Sequence, residues 1–175
     1  MQTLKPQNIH FRKAIREDLP TLIQMLADDP LGQKRERYTS PLPECYTEAF
    51  GAIDKDPNNE IILACCEDKV IGFFQITYIP YLTYMGKWRA LVEGVRVHKS
   101  FRNKGVGKEL LVKSIDMAKQ RGCHLIQLTT DKSRPEALSN GSASPGYAGY
   151  DFNEDAGPAC GRQAGFRETG VIDWG

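Results

Sequence analysis

The N-terminal part of the chain divides into short patterned segments separated by polar breaks. Asn8–Ala14 alternates polar and apolar residues, which predicts a first β-strand. Apolar residues then recur at helical spacing after the acidic start at Asp18, and Asp28-Asp29-Pro30 is expected to end this helix. Gly32–Pro43 is polar and punctuated by proline, which indicates a loop, whereas Glu44–Asp54 predicts a second helix with one apolar side.

The middle of the chain carries the strongest β-pattern. The apolar runs Ile61–Cys66 and Val70–Pro80 are separated by the turn Glu67-Asp68-Lys69, which predicts an antiparallel hairpin. Trp88–Val97 predicts a fourth strand, because its apolar residues alternate. No internal repeat is visible in this region or elsewhere.

One strand–helix–strand unit follows. An amphipathic helix is expected from Val106 until the basic last turn and glycine cap at Arg121-Gly122. His124–Thr130 predicts a fifth strand, and Pro135-Glu136-Ala137-Leu138 looks like the first turn of a further helix. The order of elements predicts an α+β fold with a mixed, mostly antiparallel central sheet flanked by helices. Its fourth and fifth strands should be parallel, joined by a right-handed crossover.

Composition narrows the class of protein. A chain of 175 residues with 41% hydrophobic and 26% charged residues is expected to form one domain, residues 1–175, with a real core. The net charge of +1 gives no bulk reason to expect nucleic acid or an anionic membrane as a partner, and the apolar runs are too short to cross a bilayer. The five cysteines include no Cys-x-x-Cys pair, so that neither a disulfide framework nor a metal site is expected, and a reducing cytoplasm fits best.

The segment between the fourth strand and the helix carries the clearest chemical signal. Gly105 and Gly107 allow the backbone to approach a ligand closely, and the first turn of the helix adds free N–H groups and partial positive charge. Lys99, Arg102, Lys104 and Lys108 add positive charge. A diphosphate is therefore the natural ligand. The motif is neither a Walker loop nor Gly-x-Gly-x-x-Gly, and the alternative is a tight strand-to-helix turn with a basic surface.

These residues resemble the GNAT (Gcn5-related N-acetyltransferase) superfamily, whose signature Gln/Arg-x-x-Gly-x-Gly/Ala matches Arg102-x-x-Gly105-x-Gly107. The resemblance covers about Ile9 to Leu138. It implies that the fourth and fifth strands splay apart, that the fourth strand's backbone binds the pantetheine arm of acetyl-CoA, and that the loop amides bind its pyrophosphate. The implied cofactor-binding residues are Val95, Arg96, Val97, Arg102, Asn103, Lys104, Gly105, Val106, Gly107 and Lys108.

The resemblance also implies direct attack of an amine on the thioester, so a base or a water chain must take a proton from the amine. Glu93 is the candidate, because it lies on the fourth strand among apolar neighbours that should raise its pKa. It could also bind the substrate amine without proton transfer, or form a salt bridge. His98 and His124 are weaker alternatives.

Three further residues lie in segments that often form the acceptor site in this family. They are Glu44, Tyr46 and Tyr84, with an ordinary surface role as the alternative for each. We take Tyr46, Tyr84 and Glu93 as candidate substrate-binding residues.

The resemblance weakens after Ala137. The family's helix there usually carries a tyrosine that protonates the departing CoA thiolate, but Gly141 stands at that position. Ser139–Cys160 is rich in glycine, proline and small residues and predicts an irregular segment. Either it is an insertion, with Tyr147 or Tyr150 as a replacement acid, or a reading-frame shift has altered it.

The resemblance thus implies a cytoplasmic acetyl-CoA-dependent N-acetyltransferase that acts on a primary amine of a small molecule or peptide. The alternative is a catalytically weak acyl-CoA-binding or sensor domain. A phosphate-binding interaction module without CoA explains the loop but not the order of strands. Proteins of this family often form homodimers, although no segment of this chain indicates one.

Overall fold

The structure is a computed structural model that describes residues 6, 8–28, 31–128, 148–152 and 166–168. The helices are α1 (Leu19–Ala27), α2 (Gly32–Arg35), α3 (Glu44–Lys55), α4 (Thr83–Gly86) and α5 (Val106–Gln120). The strands are β1 (Ile9–Lys13), β2 (Asn59–Cys66), β3 (Lys69–Pro80), β4 (Trp88–Val97), β5 (Cys123–Leu128), β6 (Ala148–Phe152) and β7 (Phe166–Glu168).

The described strands form one mixed sheet in the order β1-β2-β3-β4-β5-β6-β7. β1 pairs with β2, β5 with β6, and β6 with β7 in antiparallel register, whereas β4 and β5 are parallel. The short turn between β2 and β3 makes these two strands a hairpin. The predicted α+β fold, with a mostly antiparallel sheet and a parallel fourth and fifth strand, is confirmed.

The described residues fall into two compact units. The first contains residues up to Ile76 together with Gly94–Lys113, and the second contains Thr77–Glu93 and residues from Ser114 onward. β3, β4 and α5 contribute residues to both.

The core of the first unit lies between the helices α1 and α3 and one face of β2 and β3. β2 is buried on both faces from Ile61 to Cys65, as its continuous apolar run indicates. The buried residues of this cluster are Ala14, Leu19, Leu22, Met25, Phe50, Ile61, Leu63, Cys65 and Phe73. The apolar stripes predicted for α1 and α3 therefore face a common core.

An ion pair connects β1 to the start of α1. The two Nη atoms of Arg12 contact the two carboxylate oxygens of Asp18 at 2.7 Å, and the amide of Ile15 donates to Asp18 at 2.8 Å. The hydrogen bond from Arg12 is the main reason that the pKa of Asp18 lies below its ordinary value. The acidic residue predicted to begin the helix thus binds Arg12 and Ile15 and makes no side-chain cap.

In the second unit, buried residues alternate along the parallel strands. Ala90 pairs with Ile126 and Val92 with Leu128, and all four are buried. Leu91 and Glu93, which alternate with them on β4, are half-buried. Burial also raises the pKa of the Cys123 thiol at the start of β5 to about 11. The strand predicted at Trp88–Val97 is therefore confirmed, but the apolar residues that alternate in its sequence, Leu91, Val95 and Val97, are only half-buried, and the buried set is the other one.

Some segments differ from the sequence predictions. Gly32–Pro43 is not entirely a loop, because it begins with the single-turn helix α2. Within Ser139–Cys160 the structure describes only 148–152, and this segment forms strand β6. The helix start predicted at Pro135–Leu138 lies outside the described residues. No helix in the described part of the chain is long and apolar enough to span a membrane.

Candidate functional site

The glycine loop, which we define as Arg102–Lys108, connects the end of β4 to α5. It follows a tight turn in which the Phe101 amide donates to the carbonyl of His98 at 2.8 Å. Asn103 and Gly105 have positive φ values of 59° and 82°. Because left-handed backbone is costly for most side chains, Gly105 is needed where the chain turns into the helix.

The first turn of α5 leaves backbone donors available. Its first helical hydrogen bond joins the Glu109 amide to the Gly105 carbonyl at 3.2 Å. By helix geometry, the amides of Val106, Gly107 and Lys108 therefore have no carbonyl of their own helix to bind. Gly107 is exposed, and an added Cβ would contact only Val97, at 3.9 Å. This arrangement provides several N–H groups for an anion.

Close packing against β3 holds the start of this helix in place. Val106 and Leu110 are buried, and both lie against Gly72. A Cβ at Gly72 would lie 2.9 Å from Leu110 Cδ1 and 3.0 Å from the carbonyl oxygen of Arg96. Only glycine allows this approach, so Gly72 is a supporting residue of the site that the sequence reasoning missed. The sequence feature that could have identified Gly72 is an isolated glycine within a predicted strand.

The cations of the glycine loop and its neighbour Lys99 differ in their contacts. Arg102 Nη2 lies 3.2 Å from Asp28 Oδ2, and Lys99 Nζ lies 3.9 Å from Asp28 Oδ1. The Lys104 ammonium lies over the Phe101 ring, 5.4 Å from its centroid. Lys108 is exposed. These contacts are on the surface and are therefore weak and exchangeable.

Two carbonyls on the last part of β4 accept side-chain hydrogen bonds. Arg96 Nη1 donates to the Val95 carbonyl at 2.8 Å, and Arg102 Nε donates to the Val97 carbonyl at 3.3 Å. Because a carbonyl oxygen has two lone pairs, each of these carbonyls can accept one further hydrogen bond. The structure thus places Val95, Arg96, Val97 and Arg102 together, while their role toward a pantetheine arm stays a prediction.

Glu93 lies on β4 immediately before a break in the strand's regular conformation. The next residue, Gly94, has a φ of +62°, which is unusual inside a strand and typical of a bulge. Within the described residues, the registered pairs of β4 and β5 end at Val92 and Leu128. Glu93 is half-buried. A role for its carboxylate in catalysis or in amine binding stays a prediction.

Tyr46, on α3, has a structural role that the sequence reasoning did not foresee. Its hydroxyl donates to Glu36 Oε2 at 2.9 Å and accepts a hydrogen bond from the Arg37 amide at 3.0 Å. Burial is the main cause of its raised pKa, and the nearby Glu36 carboxylate adds to the effect. Tyr46 therefore fixes the segment before α3, whereas Glu44 at the start of α3 is exposed.

Tyr84 belongs to the aromatic cluster, which we define as Tyr81, Tyr84 and His124. The Tyr84 ring centroid lies 5.1 Å from that of His124 and 5.9 Å from that of Tyr81. His124 Nδ1 lies 2.9 Å from the Trp88 carbonyl, and its Nε2 lies 2.7 Å from the Tyr81 hydroxyl. Since a carbonyl only accepts, a neutral imidazole at this position carries its proton on Nδ1 and accepts from Tyr81 at Nε2.

Both histidines that we considered as alternative bases have local structural partners. His124 is held in the aromatic cluster, and His98 Nδ1 accepts a hydrogen bond from the Ser100 amide at 3.3 Å. The described part of the chain contains no group of three or more His, Cys, Asp or Glu side chains that could hold a metal ion.

Comparison with known proteins identifies a matching family and several structures with a similar fold. The model of the acetyltransferase (GNAT) family matches residues 23–139. A crystal structure of a transcriptional regulator from Bacillus halodurans C-125 is 48% identical, with a TM-score of 0.72, and the match covers 78% of this chain and 98% of that one.

Two more distant structures share the fold. Glucosamine-6-phosphate N-acetyltransferase from Arabidopsis thaliana is 21% identical, with a TM-score of 0.61 and coverage of 79% of this chain and 96% of that one. A predicted acetyltransferase from Clostridium acetobutylicum, with acetyl-CoA, is 20% identical, with a TM-score of 0.57 and coverage of 73% and 85%.

Proposed function

Since the chain belongs to the acetyltransferase (GNAT) family, we propose that it transfers the acetyl group of acetyl-CoA directly to a primary amine of a small molecule or peptide. The glycine loop is the observation that carries this proposal. Its positive φ at Gly105, the amides at the start of α5 and the open space at Gly107 fit the pyrophosphate of such a cosubstrate.

Acetyl-CoA supplies an activated thioester, whose carbonyl carbon forms a bond to the amine nitrogen while its bond to sulfur breaks. The amine must lose a proton in this reaction, and the CoA thiolate must gain one. We assign to Glu93 either the removal of the proton from the amine or the binding of the amine before attack. The two tyrosines that could protonate the CoA thiolate are Tyr147, which lies outside the described residues, and Tyr150, which lies on β6.

Two substitutions at Gly107 test the loop. Gly107→Glu places a carboxylate where the proposal places a phosphate, and we expect the affinity for acetyl-CoA to fall by roughly a hundredfold or more through like-charge repulsion and steric block. A carboxylate near a helix N-terminus stabilises the helix by about 0.3–1 kcal/mol, so this variant should remain folded. Isothermal titration calorimetry with acetyl-CoA measures the affinity, and thermal unfolding checks the fold.

Gly107→Ala is the matched control. The added methyl group lies at ordinary contact distance from Val97, so that affinity should stay within about threefold of the wild type. A wild-type protein that does not bind acetyl-CoA would contradict the proposed function. Equal affinity in wild type and Gly107→Glu would contradict the assignment of the pyrophosphate to the glycine loop. A thiol-release assay over a panel of primary amines then tests the transfer itself.

A second candidate function is an acyl-CoA-binding regulator with little catalytic activity. The 48% identical protein is described as a transcriptional regulator, and Gly141 stands where the resemblance expects a tyrosine acid. The glycine loop serves this function equally well. Binding of acetyl-CoA without release of thiol in the presence of any amine of the panel would favour it over the transferase.

A further inference from the structure

Asp28 follows the last turn of α1, and its carboxylate contacts two cations beyond the end of β4. One oxygen lies 3.2 Å from Arg102 Nη2, and the other lies 3.9 Å from Lys99 Nζ. The Asp28 side chain is 30% exposed, so that water and solutes reach it. A negative group thus already lies beside the positive charges of the proposed pyrophosphate site.

The helix itself does not explain this aspartate. Asp28 is the C-terminal cap of α1, where the helix dipole is negative and a carboxylate is unfavourable. Its partner Arg102 is 74 positions away in sequence. The unfavourable local position is therefore compensated by contacts with the glycine-loop region, which suggests that those contacts matter for the site.

Arg102 joins this carboxylate to β4. While one of its terminal nitrogens contacts Asp28, its Nε donates to the Val97 carbonyl at 3.3 Å. The planar guanidinium presents fixed donors, so that a carboxylate on one side orients the donor on the other. Asp28 therefore holds Arg102 against the strand to which we assign the pantetheine arm.

We propose that Asp28 competes with the cofactor's diphosphate: its carboxylate occupies Arg102 and Lys99 until the diphosphate takes its place. This inference rests on the proposed function. A diphosphate carries more charge and more acceptor oxygens than one carboxylate, and guanidinium groups bind both ligands in the same geometry. Because exposed ion pairs are weak, the exchange is accessible, and Asp28 lowers the affinity for anions at this site.

Asp28→Asn tests the exchange, since it keeps the shape of the side chain and removes its charge. We expect the affinity for acetyl-CoA to rise roughly threefold to tenfold at low salt, because two ion pairs no longer compete with the ligand. The gain should shrink as salt screens the charges. Inorganic pyrophosphate, as a competitor of acetyl-CoA, should show the same gain. Asp28→Ser is a second variant with the same expected direction.

Asp54→Asn is the matched control, because Asp54 is an exposed carboxylate that pairs with Lys13 at 3.2 Å. It changes the net charge equally and should leave the affinity unchanged. In an Arg102→Gln background, the gain from Asp28→Asn should fall to less than about twofold, which identifies Arg102 as the main partner.

The outcomes separate the two proposals. If the wild type binds acetyl-CoA and both Asp28 variants bind it equally well or more weakly, the exchange is wrong and the proposed function stands. An equal gain in Asp54→Asn would also overturn the exchange, because it would show a general charge effect. If the wild type binds no acetyl-CoA, the proposed function fails and this inference fails with it.

Discussion

The two ends of β4 carry polar and aromatic groups that are used in opposite ways. Around its first residue, the hydrogen bonds close among neighbouring groups: the Trp88 carbonyl accepts from His124 Nδ1, and His124 Nε2 accepts from the Tyr81 hydroxyl. After its last residue, the glycine loop leads into helix amides that have no partner in their own helix, and its arginine has an exposed ion pair. Groups that are already satisfied build structure, whereas available donors and exchangeable pairs bind ligands.

Exposure alone does not distinguish these ends. In the connection before β4, Leu82 is 97% exposed and Met85 is 99% exposed, and Tyr84 has left-handed backbone angles. The glycine loop also has exposed residues and positive φ values. What distinguishes the loop is that helix amides without a partner in their own helix and several cations occur together in one short segment. We therefore expect ligand binding to respond to substitutions after β4 and only stability to respond to substitutions before it.

The largest effect is expected at Glu93, in the last part of β4. Glu93→Gln keeps the size of the side chain and removes its ability to take a proton, so that kcat should fall roughly a hundredfold, which corresponds to about 2.7 kcal/mol. The affinity for acetyl-CoA should not change. Thiol release measures the first quantity and calorimetry the second. Glu48→Gln, on the exposed side of α3, is the control. Unchanged kcat in Glu93→Gln would show that Glu93 does not take the proton from the amine.

The sequence predicted the elements well where the pattern of apolar residues is local. Trp88–Val97 is confirmed as a strand, and α5 begins at Val106 as expected, because a glycine turn and an amphipathic stripe mark that boundary. The order of elements then led to the correct sheet, since a strand–helix–strand unit has one favoured handedness. Within Ser139–Cys160, glycine and small residues predicted no regular element, yet 148–152 pairs with β5. That strand depends on a partner distant in sequence, which local pattern does not show.

The candidate site was predicted less completely, for the same physical reason. The glycine loop is contiguous, so its residues and spacing were visible together. Asp28 and Gly72 lie in other segments and join the site only through tertiary contacts. Tyr46 was named for its position in the chain, but its hydroxyl is held by Glu36 and Arg37. A side chain's type is readable from sequence, whereas its hydrogen-bond partners depend on the fold.

Gly72→Ala should have the next largest effect, because it tests the support beneath the glycine loop. The new methyl group would lie too close to Leu110 and the Arg96 carbonyl, and we expect a loss of about 2 kcal/mol in the free energy of unfolding from overpacking. A shift of α5 should also weaken acetyl-CoA binding. Urea unfolding and calorimetry measure the two effects.

Gly51→Ala is the matched control for this substitution. Gly51 lies inside α3, and no atom outside its neighbours and the backbone of its own helix comes within 4 Å of an added Cβ. Alanine is the better helix former, so this variant should gain up to about 1 kcal/mol and keep its affinity for acetyl-CoA. If both substitutions changed the free energy of unfolding in the same direction, the close approach at Gly72 would not be a constraint on the fold.

The smallest effect is expected before β4, where Tyr81→Phe removes the hydroxyl that donates to His124 Nε2. The ring contacts remain, so that the loss should be about 1 kcal/mol in the free energy of unfolding, the usual worth of one part-buried hydrogen bond. Tyr84→Phe is the control for stability, because its ring is 66% exposed. Unlike Gly72→Ala, Tyr81→Phe should leave acetyl-CoA affinity at the wild-type value, since the hydroxyl that it removes bonds to His124 within the aromatic cluster. A clear loss of affinity in Tyr81→Phe would contradict the contrast between the two ends of β4, because it would show that the aromatic cluster contributes to cofactor binding.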